Sequence, residues 1–209
     1  MDLSSSLSRK LLQIKAIKLS PQNPFTWASG IQSPIYCDNR ITLAYPEIRD
    51  MIKNGFAEHC LSYESVDLVA GVATAGIAHG ALLADQMKLP FAYVRSKAKG
   101  HGRKNTIEGE VKQGQDCIVI EDLVSTGGSS IKAVQDLREV GINVLGVLAI
   151  FSYNLQKAED NFKQIDCSYH TLTDYNNLIA VAAEDNYVNS QELDLLKIWR
   201  QDPEKWSPN

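Results

Sequence analysis

Short apolar segments alternate with amphipathic segments through most of the chain. Mostly apolar segments, typical of strands buried in a sheet, occupy residues 66–73, 91–94, 117–120 and 144–151, and a further short strand is predicted at residues 169–172. Apolar residues at helical spacing lie between these runs and predict helices at residues 46–56, 77–87, 131–140 and 155–162. Strands that alternate with helices in this way predict an α/β fold with a mostly parallel central sheet flanked by helices.

The two ends of the chain differ from this central pattern. Apolar positions about one turn apart predict a helix over residues 4–18. Three prolines and a glycine interrupt residues 21–43, whose short aromatic pieces suit either a lid over a planar ligand or a hairpin packed on the domain. Residues 174–201 predict two terminal helices, with Asp174 and Ser190 as their N-caps.

In residues 117–129, an apolar run leads into two adjacent carboxylates and then a glycine-containing turn. The carboxylates are Glu121 and Asp122, and the turn, Ser-Thr-Gly-Gly-Ser, spans residues 125–129. Glycines let the backbone approach a phosphate, and N–H groups at the start of the following helix attract it. The carboxylates repel phosphate, so we expect them to meet vicinal hydroxyls or hydrated Mg²⁺. The stretch therefore predicts a site for a phosphorylated sugar.

A basic segment, residues 95–105, follows the predicted strand at 91–94. Five of its eleven residues are Lys or Arg, and it also contains a histidine and two glycines. Because none of its apolar residues is larger than alanine, it cannot bury a face, and a mobile loop is predicted. In an otherwise acidic chain we favour a loop that closes over a polyanion, with a solvated run of charges as the alternative.

Residues 71–76 form a second turn rich in small residues. This turn either contacts an anion or is a place of tight packing between a strand and a helix.

Composition argues against several classes of protein. The 209 residues carry a net charge of −4, which argues against bulk nucleic-acid binding, and 44% hydrophobic content is enough for a core. The four cysteines are widely separated and predict neither a metal cage nor a disulfide framework. With no signal-peptide pattern and no long apolar run, a soluble, cytoplasmic protein is expected.

Residues 117–129 resemble the phosphoribosyl diphosphate (PRPP) signature of the type I phosphoribosyltransferases. In that signature an apolar strand leads to two acidic residues and a Thr-Gly-Gly turn. Further segments make nearly the whole chain similar to the orotate phosphoribosyltransferases of this family, namely residues 25–30, 33–36, 95–105 and 177–179.

The resemblance implies an activity, an architecture and partners. The implied reaction transfers the 5-phosphoribosyl group of PRPP to orotate, giving orotidine 5′-monophosphate and diphosphate in pyrimidine synthesis. Mg²⁺ is implied as cofactor, held by PRPP and water without direct protein ligands. A homodimer is implied, with the basic loop shared across the interface and with no nucleic-acid or membrane partner. The implied architecture is one domain over residues 1–209, with an N-terminal helix and hood (1–45), an α/β core (46–173) and C-terminal helices (174–209).

The resemblance also assigns roles to individual residues. Those implied to bind PRPP are Arg95, Lys99, His101, Glu121, Asp122, Leu123, Val124, Ser125, Thr126, Gly127, Gly128 and Ser129. Within this set the turn holds the 5-phosphate and the two carboxylates hold the ribose hydroxyls. Those implied to be catalytic are Arg95, Lys99, His101 and Asp122, with the cations acting on the leaving diphosphate. Orotate is assigned to Phe25, Tyr36 and Ser125, and the diphosphate also to a loop at Ala73 and Thr74.

Four positions differ from the better-known family pattern. Relatives often have basic residues, or an orotate-binding arginine, where this chain has Ala28, Thr74-Ala75, Ser96 and Tyr153-Asn154. The candidates for replacing these base contacts are Tyr153, backbone groups of residues 25–36, and Arg40. The alternative functions are transfer to another purine or pyrimidine base, and a non-catalytic PRPP-sensing regulator.

Overall fold

The computed structural model describes residues 2–27, 30–97, 106–203 and 205–207. Over these residues the elements are, in order, α1 (Leu3–Gln13), β1 (Ile17–Leu19), β2 (Phe25–Thr26), β3 (Gln32–Ser33), β4 (Ile35–Cys37), a 3₁₀ helix (Asn39–Ala44), α2 (Pro46–Cys60), β5 (Leu68–Val72), α3 (Ala75–Met87), β6 (Phe91–Val94), β7 (Ile107–Glu108), β8 (Asp116–Val124), α4 (Gly128–Glu139), β9 (Asn143–Ser152), α5 (Gln156–Gln164), β10 (Tyr169–Asp174), α6 (Tyr175–Glu184) and α7 (Ser190–Gln201). None of the helices in this part of the chain is both long and apolar enough to cross a membrane.

The central sheet has six strands in the order β10-β9-β8-β5-β6-β7. All neighbouring pairs are parallel except β6 and β7, which run antiparallel at one edge. The predicted α/β fold with a mostly parallel sheet is therefore confirmed. The two-residue strand β7 was not predicted, because so short a segment has no periodicity of its own and is defined by its pairing with β6.

Both faces of the sheet are covered, which explains the continuous apolar runs. Along β8, Ile118 and Ile120 belong to one core cluster, which also takes buried residues from α1, α2, α3, α6 and α7. The alternate residues Cys117 and Val119 belong to a second cluster, completed by buried residues of α4 and α5. The side chains of these four β8 residues have no exposed surface, so no polar face interrupts the strand.

The helix predicted over residues 4–18 is wrong beyond Gln13. Lys15 adopts a left-handed conformation, with φ of 59°, which ends the helical path. The chain then enters β1, which pairs antiparallel with β4 between Ile17 and Cys37. Strand pairing with a distant segment therefore overrides the helical spacing of the apolar residues.

The N-cap of α6 is confirmed and that of α7 is corrected. The Asp174 side chain accepts a hydrogen bond from the Asn177 N–H at 2.9 Å. For α7 the cap is Asn189, not Ser190, because the Asn189 side chain accepts from the Glu192 N–H while the Glu192 side chain accepts from the Asn189 N–H. This reciprocal capping box needs an acidic residue three positions after the cap, a spacing that only Asn189 satisfies.

The two carboxylates lie within β8, not in a turn after it. The strand continues to Val124 because its ladder with β9 extends as far as the pair Val124–Ser152. Glu121 and Asp122 are therefore fixed by strand geometry at the carboxyl end of the sheet. The helix that follows ends at Glu139. Val140, which was predicted to belong to its apolar face, lies after the helix and is 47% exposed.

Candidate active site

Three segments that the sequence singled out separately meet at one edge of the sheet. Because β5, β6 and β8 are parallel, their carboxyl ends lie side by side. A cavity of about 200 Å³ opens between the residues that follow these strands. Its lining includes Ala73, Arg95, Ser96, Gly128, Ser129 and Lys132. The structure thus brings together parts of the 71–76 turn, the start of the basic segment and the glycine turn.

The glycine turn leads into α4 with an open, uncapped helix start. Gly127 occupies the N-cap position with φ of 81°, and an added Cβ there would lie 2.7 Å from the Phe162 ring. Gly128 begins the helix, and an added Cβ there would meet nothing within 4 Å. No side chain caps α4 and its first turn has no acidic residue. The N–H groups at this helix start therefore face the cavity without a side-chain acceptor, which is the condition for binding an anion.

The two neighbouring carboxylates have different environments. Glu121 is 5% exposed, and its carboxyl group accepts hydrogen bonds from the Asp122 N–H at 3.0 Å and the Ser130 hydroxyl at 3.2 Å. Burial, and then the charge of Asp122, raise the pKa of Glu121. Burial also raises the pKa of Asp122, while a hydrogen bond with Glu121 and the positive charge of Arg40 oppose the shift. Asp122 is only partly buried, so it is the carboxylate more available to a ligand.

Asn39 supports the acidic pair from the 3₁₀ helix, and sequence reasoning missed it. Its Nδ2 donates to the Asp122 carbonyl at 2.7 Å. Thr42 donates to the Asn39 carbonyl at 2.5 Å, and the Thr42 hydroxyl lies 3.3 Å from Nε2 of His79. Asn39 is fully buried, and its Oδ1 has no hydrogen-bond partner among the described residues. The polar Asp-Asn-Arg triplet at 38–40 is the only local signal, and it says nothing about a contact 83 residues away.

The aromatic segment near the N-terminus forms a hairpin that is also one wall of a cleft. Strands β2 and β3 pair antiparallel, so the hairpin interpretation is confirmed. The Trp27 ring packs against the Tyr153 ring at 5.4 Å and the Trp199 ring at 5.8 Å. A cavity of about 220 Å³ lies beside the hairpin, lined by Trp27, Tyr36, Cys37, Leu123, Ser125 and Tyr153. Tyr36 thus faces this cleft, whereas Phe25 is not in its lining and instead contacts the Tyr36 ring at 5.7 Å.

A larger cavity, of about 380 Å³, adjoins this cleft across Trp27 and Ser125. Thr126 of the glycine turn continues its wall on one side. Arg200, in the last turn of α7, lines the other side. The C-terminal helix therefore reaches the edge of the sheet where the glycine turn lies.

The remaining residues to which the family resemblance gave a role lie in different parts of the structure. Arg95 forms an ion pair with Glu108 at 3.3 Å and lines the first cavity, whereas Val124 is fully buried. Thr74 directly precedes α3 and is joined to Ala73 by a cis peptide bond. Lys99, His101 and Ala28 lie outside the described residues.

The turn at residues 71–76 shows the tight packing that was one of its two interpretations. A Cβ added to Gly71 would lie 2.8 Å from the Gly76 carbonyl oxygen, and one added to Gly76 would collide with the Ile120 carbonyl. The start of α3 therefore lies directly against β5 and β8. Ala73 lines the cavity, and Thr74 connects it to α3.

A parallel sheet with a glycine turn, an uncapped helix and paired carboxylates at its carboxyl edge is the architecture of a phosphate- or nucleotide-binding protein. The class is defined by a match to the phosphoribosyl transferase domain over residues 41–185. This region contains the acidic pair, the glycine turn and the basic segment.

Relatives that match over their full length identify the family within the phosphoribosyltransferases. The chain is 54% identical to the orotate phosphoribosyltransferase of Streptococcus agalactiae over 99% of both chains. The chain belongs to the orotate phosphoribosyltransferase family, as the resemblance of residues 117–129 and the hairpin segment indicated.

Solved structures agree on the fold. Leishmania donovani UMP synthase superposes with a TM-score of 0.81 at 25% identity, and the match covers 95% of this chain and 42% of that one. The orotate phosphoribosyltransferase of Aeropyrum pernix superposes with a TM-score of 0.76 at 24% identity, over 88% of this chain and 99% of that one.

Proposed function

We propose that this protein transfers the 5-phosphoribosyl group of PRPP to orotate and releases diphosphate, a step of pyrimidine nucleotide synthesis. The observation that carries the proposal is 54% identity to an orotate phosphoribosyltransferase over 99% of each chain. The enzyme is accordingly a glycosyltransferase that exchanges the substituent on C1 of a phosphorylated ribose.

In this proposal the glycine turn holds the 5-phosphate of PRPP. Support comes from the open space at Gly128 and from the uncapped N–H groups at the start of α4. Residues 123–129 form the rim of the site, and Ser125 lies between the phosphate position and the hairpin cleft. Glu121 and Asp122 hold the ribose hydroxyls, with Asp122 making the direct contacts because it is the more accessible of the two.

The diphosphate is assigned to the part of the first cavity lined by Ala73 and Arg95, and the 5-phosphate to the part lined by Gly128 and Ser129. Ala73 and Thr74, which directly precede α3, form the proposed diphosphate loop. Lys99 and His101 follow Arg95 in the sequence and complete the proposed set of cations. When the C1–oxygen bond breaks, the sugar becomes oxocarbenium-like and the departing diphosphate gains negative charge. Cations at this position stabilise that charge more in the transition state than in the bound substrate.

Orotate is assigned to the cleft beside the hairpin. Tyr36 and Ser125 line this cleft, and Phe25 supports Tyr36 from behind through their ring contact. A planar heterocycle fits a narrow space between aromatic walls, because stacked rings exclude water and bury a large apolar area. From this cleft the base faces the ribose position above the end of β8.

Phosphoribosyltransferases generally use Mg²⁺ with PRPP. Within residues 2–27, 30–97, 106–203 and 205–207, no three His, Cys, Asp or Glu side chains converge as a metal cage. Mg²⁺ usually keeps several waters and binds through substrate phosphate oxygens, so it needs no protein cage. We therefore place Mg²⁺ on PRPP oxygens and water, where it neutralises diphosphate charge.

The proposal extends to the whole chain and its assembly. Both ends belong to the same domain as the matched region, because Leu7 and Leu11 of α1 and Trp199 of α7 lie in the cluster that packs on β8. We propose a homodimer in which the basic segment of one protomer completes the site of its partner, and a cytoplasmic location, as expected for an enzyme of nucleotide synthesis.

A base-substrate panel tests the proposed function. Orotate, uracil, hypoxanthine and guanine are each incubated with PRPP and Mg²⁺, and diphosphate release is followed. Release with orotate alone is the expected result. Release with a purine or with uracil, and none with orotate, identifies a different transferase. PRPP binding without release with any base identifies a PRPP sensor.

A further inference from the structure

One arginine lies in the larger cavity next to the proposed orotate cleft. This cavity adjoins the cleft across Trp27 and Ser125, and Arg200 lines its far side. Arg200 is partly buried and follows Trp199, which is fully buried in the core. The buried tryptophan anchors the last turn of α7, so the position of the arginine is set by the fold.

The Arg200 side chain is oriented but not neutralised. Its Nη1 donates to the Asn154 carbonyl at 2.9 Å, which fixes the plane of the guanidinium group. Within the described part of the chain, no carboxylate forms an ion pair with it. By contrast, Lys197 on the same helix lies 3.8 Å from Asp194. A guanidinium group has further N–H donors in a fixed fork that matches a carboxylate, so Arg200 keeps donors for a ligand.

Other charged groups near the site are already engaged. Arg40, one of the candidates from sequence, donates to both carboxylate oxygens of Asp38 at 2.7 and 2.9 Å. Arg95 lines the cavity assigned to the diphosphate and is not in the lining of the hairpin cleft or the larger cavity. Asp202 also lines the larger cavity, and its carboxylate lies 2.9 Å from Lys205 Nζ, which offsets its negative charge. Among the arginines of the described residues, Arg200 is therefore the one positioned for an anionic group beside the orotate cleft.

We propose that Arg200 binds the carboxylate of orotate and so determines the preference for this base over neutral pyrimidines. The inference rests on the proposed function. Orotate is a planar ring that carries a carboxylate. Trp27 lines both cavities, so a ring packed against it in the cleft can direct its carboxylate into the larger cavity that Arg200 lines. Asn154 holds Arg200 at a point directly after β9, where the chain itself has Tyr153 and Asn154 and no cation. A residue from the C-terminal helix thus supplies the charge that the local sequence lacks.

The test compares Arg200→Gln, Arg200→Lys and the control Lys197→Gln, which removes one positive charge from an exposed position of the same helix. Steady-state rates give the KM for orotate and for PRPP. Orotate and its neutral amide, uracil-6-carboxamide, are compared as ligands by competition. In Arg200→Gln we expect the KM for orotate to rise about 10- to 100-fold, the range for loss of a charge-assisted contact, with little change for PRPP. The preference for orotate over the amide should disappear, and Lys197→Gln should resemble wild type.

Three outcomes overturn the inference. The first is an unchanged KM for orotate in Arg200→Gln. The second is an equal loss of orotate and amide binding in Arg200→Gln, which would indicate a packing role. The third is a rise in the KM for orotate in Lys197→Gln as large as in Arg200→Gln. If Arg200→Gln is unfolded in a thermal melt, Arg200→Lys decides, because it keeps the charge but loses the fork and should raise the KM for orotate several-fold. Wild type that does not use orotate refutes the proposed function itself, and with it this inference.

Discussion

Replacing Gly128 with alanine should leave the protein at least as stable while weakening its binding of PRPP. Gly128 is the first residue of α4, its φ is not in the left-handed region, and an added Cβ would meet nothing within 4 Å. Alanine in a helix is favoured over glycine by up to about 1 kcal/mol, because glycine loses more backbone entropy on folding. For a chain of this size about 1 kcal/mol corresponds to a Tm rise of about 2–4 °C.

The effect on substrate binding has the opposite sign. Gly128 lines the cavity at the start of α4, so the new methyl group enters the space proposed for the 5-phosphate. A phosphate held farther from the helix N–H groups loses charge-assisted hydrogen bonds, each worth about 1.5–3 kcal/mol. The KM for PRPP should therefore rise about 10- to 100-fold, since about 1.4 kcal/mol is a factor of ten. Initial rates at saturating orotate and a thermal melt on the same sample measure both effects.

Gly127→Ala is the matched contrast. Its φ of 81° and the Phe162 ring 2.7 Å from an added Cβ make alanine strained there, so its Tm should fall. A normal KM for PRPP in Gly128→Ala would refute the placement of the phosphate. A loss of stability in Gly128→Ala as large as in Gly127→Ala would refute the reasoning from open space.

Three further variants test the rest of the site. Burial raises the folded-state pKa of Glu121 above its unfolded value, so wild type loses stability as pH rises between about 5 and 8. Glutamine does not titrate, so the free energy of unfolding of Glu121→Gln should rise relative to that of wild type across this range, by at most about 1.4 kcal/mol per pH unit, and the Tm of the variant should rise relative to wild type with it. Asn39→Ala leaves the Asp122 carbonyl without its donor, and urea unfolding should show a loss of about 1–3 kcal/mol together with a lower kcat/KM for PRPP. Lys99→Ala should lower kcat far more than it raises the Kd for PRPP, because its proposed contact strengthens as the diphosphate leaves.

Each of these expectations has a control and a contrary result. Glu139→Gln, at an exposed site on α4, is the control for removing a carboxylate from the same helix. A pH profile of Glu121→Gln relative to wild type that is as flat as that of this control would contradict the burial argument. Unchanged unfolding of Asn39→Ala would mean that water replaces its amide. Lys88→Ala, at an exposed ion pair with Asp85, is the control for Lys99→Ala. A rise in the KM for PRPP alone would show that Lys99 binds the ground state.

The central strands could be predicted from sequence because burial on both faces produces a recognisable pattern of apolar residues. Residues of β8 that alternate between two core clusters produce an unbroken apolar run, because both faces of the strand are buried. The small strands could not be predicted in this way. β1 exists because Ile17–Leu19 meets β4, and β7 because Ile107–Glu108 meets β6, so each depends on a partner distant in sequence.

The local part of the candidate site could be predicted, and its long-range part could not. Residues 117–129 contain strand, carboxylates, turn and helix start in one segment, so their spacing is enough to indicate a phosphorylated sugar. Asn39 reaches Asp122 from 83 residues away, and Arg200 reaches Asn154 from 46 residues away. Both contacts depend on how α7 and the 3₁₀ helix pack on the sheet, which no local pattern specifies.

The environment of Glu121 also explains how two adjacent carboxylates can lie close to the proposed phosphate site. Two full negative charges at the end of β8 would oppose an incoming 5-phosphate. Burial raises the pKa of Glu121, and its carboxyl group is already occupied by the Asp122 N–H and the Ser130 hydroxyl. The pair therefore carries less negative charge than two exposed carboxylates, and Ser130 ties it to the first turn of α4. Glu121 thus positions both the start of the helix and Asp122, and leaves Asp122 as the carboxylate available for the proposed contact with the ribose.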